Sequence, residues 1–353
     1  MNSLLVGVGI SERAVPGDDP VADAVTAEAL GYDFVSAFDH PVVDAATARA
    51  LGYGAIPADG HPVRTFPTYE TQTLLTWIAA RTTRIGIVPR VLGVPFRRPV
   101  LVAKAAESLQ RLSGGRLTHG LGAGYRDDEI RAAGAPAQTP RARQDGLEDA
   151  MEIIRAAWAR PSVRYHGPVY SADDLDLEPK PATPIPIWLG AQGPRGLALT
   201  GRLADGWIPF LRFTGQDRIP AMLDQIRAAS VAAGRPADAV RAIYSVPVRL
   251  GPRVRTTTGG LITGSAGDIV EQLHALTELG FTGFDLMPVR SQIRAVAEDV
   301  LPALRELPVP APQAPPSRRS PYRPRTAVRL VPQPHPAAVS PVGQAPAGRG
   351  VAS

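Results

Sequence analysis

TRIGIVPRVLGVPFRRPVLVAKAAESLQRLSGGRLTHGLGAGYRDDE, residues 83–129, holds one whole repeating unit of this chain. Residues 84–91 form a short apolar run of strand length, and residues 99–112 space their apolar side chains as a helix does. Ser113-Gly114-Gly115 stops that helix, and residues 116–121 are a second apolar run. Two strands joined through a helix run parallel, with a right-handed crossover. Both runs are continuous rather than alternating, as in a sheet covered on both faces.

Outward from this unit the alternation repeats. Strands are predicted at 4–10, 33–38, 187–190, 206–210, 242–248 and 284–288. Helices are predicted at 20–31, 68–81, 141–158, 194–204, 216–233, 265–279 and 291–305. Eight strand–helix units over roughly 300 residues favour an α/β fold of the closed (β/α)8 TIM type over a doubly wound open sheet. Two irregular segments, 41–67 and 159–185, interrupt the pattern as insertions expected at the C-terminal mouth.

The barrel domain is expected to occupy residues 1–307. Residues 308–353 hold twelve of the 37 prolines, six arginines and no acidic residue, a disordered composition. Those arginines account for the net charge of +5, so the barrel itself is near neutral. A nucleic-acid enzyme would carry its basic footprint on the folded surface, so that class is disfavoured. With no cysteine in the chain, disulfides, thiolate metal sites and cysteine nucleophiles are excluded. The histidines show no metal-ligand spacing, and no metal is expected. No apolar run is long enough to span a bilayer, and MNSLLVGVGI has no signal-peptide pattern. A cytoplasmic location and no membrane partner are the expectation. The 36 arginines against Lys104 and Lys180 fit a GC-rich bacterial genome.

In such a barrel, chemistry sits at the C-terminal ends of the strands. Asp39-His40 follows the second strand, Arg90 to Gly93 the third, GLGAGYRDDE (120–129) the fourth and GAQGPRG (190–196) the fifth. His40 can exchange a proton near neutral pH, or it is an ordinary loop residue. GAQGPRG joins a strand to a helix starting near Pro194. Its free N–H groups, Gly190, Gly193 and Arg195 suit a phosphate, or the segment is simply a β-α turn. GLGAG lacks the third glycine of a dinucleotide fingerprint, and its small residues suit the approach of a flat ring. His119 reads as structural.

Together these residues resemble the luciferase-like monooxygenase superfamily. The matching segments are AEALGYDFVSAFDH (27–40), residues 83–129 quoted above, PIWLGAQGPRGLALTGRLADGW (186–207) and GSAGDIVEQLHALTELGFTGFDLMP (264–288). The resemblance implies a redox cofactor across the barrel mouth, coenzyme F420, with FMN as the alternative. Asp39 would meet its headgroup, with His40 as proton donor beside the ring. Arg90-Val91 falls where the family often carries a bulge with a non-prolyl cis peptide backing the ring. Gly93, Ala123 and Gly124 would line the ring, with Tyr125 and Asp128 nearby. Gln192, Gly193, Arg195 and Gly196 would hold the phosphate. F420 implies hydride transfer with a small organic substrate; FMN implies an oxygen-using monooxygenase fed by a flavin reductase. A family member that binds cofactor without catalysis is a third reading. Relatives are often dimers, so a homodimer is an expectation. Two departures matter: members that oxidise sugar phosphates carry a glutamate where Tyr125 stands and a lysine near Phe213, and this chain has neither. Arg90 is also larger than the family's usual small residue, and would reach an acidic substrate or narrow the pocket.

Overall fold

The computed structural model describes residues 4–11, 13–14, 17–41, 67–136, 138–210, 216–254 and 260–308. Strands β1 (Leu5–Gly9), β2 (Phe34–Ala37), β3 (Gly86–Pro89), β4 (Leu92–Gly93) and β5 (His119–Gly122) come first. Helices α1 (Pro20–Ala29), α2 (Thr71–Arg81), α3 (Pro99–Leu112), α4 (Asp127–Ala132) and α5 (Pro140–Ala159) lie between and after them. The second half holds β6 (Val163–His166), β7 (Ser171–Leu175), β8 (Ile187–Leu189), β9 (Gly206–Trp207), β10 (Arg241–Leu250), β11 (Ile262–Gly264) and β12 (Gly283–Pro288). Its helices are α6 (Pro194–Leu203), α7 (Ile219–Ala232), α8 (Ala266–Glu278), α9 (Ile293–Asp299) and α10 (Leu301–Glu306).

Nine strands follow the path β3-β2-β1-β12-β10-β9-β8-β5-β4, every pair parallel. β3 and β4 are two halves of one strand broken at Arg90-Val91, so the path has the eightfold repeat of the expected barrel. The ring closes where Ile87 of β3 bridges Leu117, with the Thr118 N–H donating to the Ile87 carbonyl at 3.0 Å.

The quoted unit shows how the sequence makes these elements. α3 opens on Pro99, whose missing N–H costs nothing in the first turn. Its buried positions, Val102, Ala103, Ala106, Leu109 and Gln110, recur at helical spacing and face the sheet. Gly114 and Gly115, at φ +70° and +91°, then turn the chain back. Inside the barrel, alternate residues of each strand point inward. Phe34, Val88, Trp188, Ile208 and Ile243 fill the interior, with Phe34 edge-on to Trp188 at 5.6 Å.

Three details differ from the sequence reading. Segment 159–185 is not structureless: β6 and β7 form an antiparallel hairpin around Gly167-Pro168. It packs on α5, where the Asp149 carboxylate accepts from the Tyr165 hydroxyl and from the N–H groups of Val169 and Tyr170. The predicted helix 291–305 divides into α9 and α10. Pro302 explains this, because it cannot donate to the carbonyl four residues back. β11 was not expected and adds to the edge of β10. Most of segment 41–67, the neighbourhood of Phe213 and the tail from 309 onward lie outside the described residues.

Candidate active site

The end of β2 delivers Phe38, Asp39 and His40 to the mouth. Two hydroxyls fix the backbone there: Thr71 donates to the Phe38 carbonyl at 2.6 Å and Thr68 to the His40 carbonyl at 2.9 Å. Asp39 is buried. Its carboxylate accepts from the Gly93 N–H at 2.9 Å and from both arms of Arg97, at 2.7 and 2.9 Å. Arg97 also reaches Glu70, the residue that caps α2. Burial alone would lower the Arg97 pKa, but hydrogen bonds to Asp39 and Glu70 outweigh it and raise it. Asp39 thus ties β2 to β4 and to the start of α2.

His40 is 8% exposed and Glu129 4% exposed. Nδ1 of His40 lies 2.9 and 3.1 Å from the two Glu129 carboxylate oxygens. Nε2 makes no hydrogen bond with the described residues. The Phe38 ring lies 6.0 Å from the imidazole, and Tyr125 stands edge-on to it at 6.4 Å. Tyr125 is itself exposed.

Arg90-Val91 is a cis, non-prolyl peptide, as the resemblance implied. Val91 lies against glycines of two neighbouring strands. A Cβ at Gly122 would sit 2.6 Å from Val91 Cγ2, and one at Gly190 would sit 3.0 Å from the same atom. The bulge therefore fits only because these strand ends carry no side chain there. The Arg90 side chain turns into the barrel instead of outward. Its Nη1 donates to Ser245 Oγ and to Asp285 Oδ2, both at 2.7 Å, and its guanidinium covers the Phe38 ring at 3.9 Å. Ser36 and Ser245 also donate to Asp285, each at 2.8 Å. The Arg90 charge is thus matched by Asp285, while its buried Nε finds no hydrogen-bond partner among the described residues.

At the end of β8, Gly193 is the N-cap of α6, where an added Cβ would meet nothing within 4 Å. Arg195 pairs with Asp145 while keeping an exposed side. Gln192 donates to the Phe210 carbonyl at 2.9 Å, and Gly196 is buried against Ala191. Gly190 links this turn to Val91, so the phosphate-type turn and the bulge share one end of the barrel. This end of the barrel accordingly brings together the Val91 bulge, seated on glycine backbone, and an open helix N-terminus at Gly193 of the kind that suits a phosphate.

Other expected residues fall in place unevenly. Gly93 bonds Asp39, and Gly124 is in the left-handed region at φ +72° against Pro95 and Ile130. Ala123 is partly buried beside it. Asp128 pairs with its neighbour Arg126 at the surface, and Glu129, which the sequence reading passed over, is the acid that reaches His40. Arg97, Ser245 and Asp285 were also missed. His119 is enclosed, its Nε2 unpaired, and desolvation pushes its pKa down to about 3. Among the described residues no cluster of three metal-ligating side chains occurs, and no helix is long and apolar enough to cross a membrane.

A family model described as luciferase-like monooxygenase matches residues 7–255. The chain is similar to an F420-dependent hydroxymycolic acid dehydrogenase of Mycobacterium tuberculosis, 33% identical over 236 residues, 65% of this chain and 58% of that protein. It is also similar to an F420-dependent glucose-6-phosphate dehydrogenase of Kribbella flavida, 29% identical over 58% of this chain and 57% of that protein. The matched stretch thus spans little more than half of either relative. In fold it resembles an F420-dependent secondary alcohol dehydrogenase solved with an F420-acetone adduct. That likeness has a TM-score of 0.70 at 17% identity and covers 86% of this chain and 100% of that one.

Proposed function

The chain belongs to the luciferase-like monooxygenase family, and from that premise we propose that it is an F420-dependent oxidoreductase. It moves a hydride between the deazaflavin and a small organic substrate bearing a hydroxyl or carbonyl group, and His40 handles the accompanying proton. One observation carries this reading: the His40 corner, the Arg90-Val91 bulge and the α6 turn converge on one barrel end. The dependence of both sequence relatives on F420 supports the choice of cofactor.

A deazaflavin bound there would supply a carbon that gives or takes a hydride; reduced FMN would instead activate dioxygen. The residues do the rest. Val91, Gly93, Ala123, Gly124 and Tyr125 would hold the ring. Gln192, Gly193, Arg195 and Gly196 would hold the phosphate at a helix N-terminus. The buried Arg90–Asp285 pair would help keep water from the site.

Fluorescence titration with F420 and with FMN tests the proposal. Saturable F420 binding without FMN binding is expected; FMN binding alone would transfer the chain to the monooxygenase reading. With F420 and a turned-over alcohol, His40→Ala should keep cofactor affinity and lose about 10²–10⁴-fold in kcat. Unchanged turnover would remove His40 from the chemistry.

A further inference from the structure

We propose that Glu129 is the positioning residue of this site: it locks His40 in the Nδ1–H tautomer, so that Nε2 is the nitrogen that exchanges the proton with substrate. This rests on the reading of His40 given above.

A carboxylate can only accept hydrogen bonds, so the nitrogen facing it carries the hydrogen. Both Glu129 oxygens face Nδ1, at 2.9 and 3.1 Å, and both residues are buried. In the neutral ring the proton therefore sits on Nδ1 and the lone pair on Nε2. Nε2 is the nitrogen left without a partner among the described residues. Glu129 is carried by α4, which starts at Asp127, and Gly124 lets the chain turn into it from β5. The imidazole is thus oriented from the fourth β-α connection while its backbone is held by Thr68 beyond the second.

For an alcohol substrate the balance follows. The C–H bond breaks as hydride leaves to the oxidised deazaflavin. The O–H bond breaks as Nε2 takes the proton, and the carbonyl double bond forms. In reverse, the imidazolium returns the proton from Nε2. In either direction Glu129 keeps the ring oriented with Nε2 free for the transfer, as carboxylates orient imidazoles elsewhere.

Long-range proton–nitrogen correlation spectra of ¹⁵N-histidine-labelled protein, without cofactor and at alkaline pH, read the tautomer. His40 is assigned by its loss in His40→Gln. The expected wild-type pattern is a protonated Nδ1 and a bare Nε2. Glu129→Gln should keep it, because the amide oxygen still accepts. Glu129→Ala should release it toward the Nε2–H form. With F420 and an alcohol, Glu129→Ala should lower kcat by about 10- to 100-fold at unchanged F420 affinity, and Glu129→Gln should recover part of the loss. A wild-type Nε2–H pattern, or one insensitive to Glu129→Ala, would overturn the proposal. Should Glu129→Ala not fold, the wild-type and Glu129→Gln spectra decide between the tautomers. Failure to bind F420 would strike the proposed function and leave the tautomer assignment standing.

Discussion

Arg90 and Asp285 are a charge pair held almost wholly out of water, at 3% and 0% side-chain exposure. Such a pair gives little net stability, but removing one partner strands the other. Asp285→Ala should therefore cost about 3–5 kcal/mol in chemical denaturation. A cost below about 1 kcal/mol would mean that water reaches the guanidinium. At this scale the sequence was informative where a residue's place followed from a strand end. Asp39, His40, Arg90 and Val91 follow the ends of β2 and β3, as the βα repeat implied. It was uninformative about helix phase. Asp127, Asp128 and Glu129 are successive acids about 100° apart around α4, and only the path through Gly124 decides which one turns inward. Arg90 was ambiguous for a related reason: its partners Ser245 and Asp285 are more than 150 residues away.

Among the elements, α6 offers a test in which stability and affinity move in opposite directions. Gly193 caps it in extended geometry, φ −85° and ψ 159°, with open space around the missing side chain. An aspartate there can accept the first-turn N–H groups and should raise stability by a few tenths of a kcal/mol. The same charge would occupy the place proposed for the cofactor phosphate. Gly193→Asp is thus expected to melt slightly higher than wild type while binding F420 at least about tenfold more weakly, since a like charge there costs more than 1.4 kcal/mol. Equal affinity would remove this helix from the phosphate site. Most elements were legible because the βα repeat has a strong apolar period. The β6–β7 hairpin was not, since its strands are largely polar and exposed and carry no such signal. The division of α9 from α10 could have been read from Pro302.

For the molecule as a whole, buried His119 sets an acid limit. Its pKa is about 3 in the folded barrel against an ordinary 6.5. A group lowered by folding contributes stability above its unfolded value and loses it as pH falls. The barrel should lose about 2–3 kcal/mol between pH 6.5 and 4.5 through this residue alone. A His119→Phe variant should show a correspondingly flatter profile in denaturant unfolding; an identical slope would clear His119. The barrel was the most legible feature of all, because eight parallel units leave few ways to cover both faces of a sheet. The tie from Asp39 to Gly93, Arg97 and on to Glu70 has a kinetic consequence. It fixes the ends of β2 and β4 and the start of α2 to one another, so no slow rearrangement of these is expected at encounter. In stopped-flow mixing, the observed rate of F420 capture should rise linearly with concentration, without the plateau that a preceding isomerisation imposes.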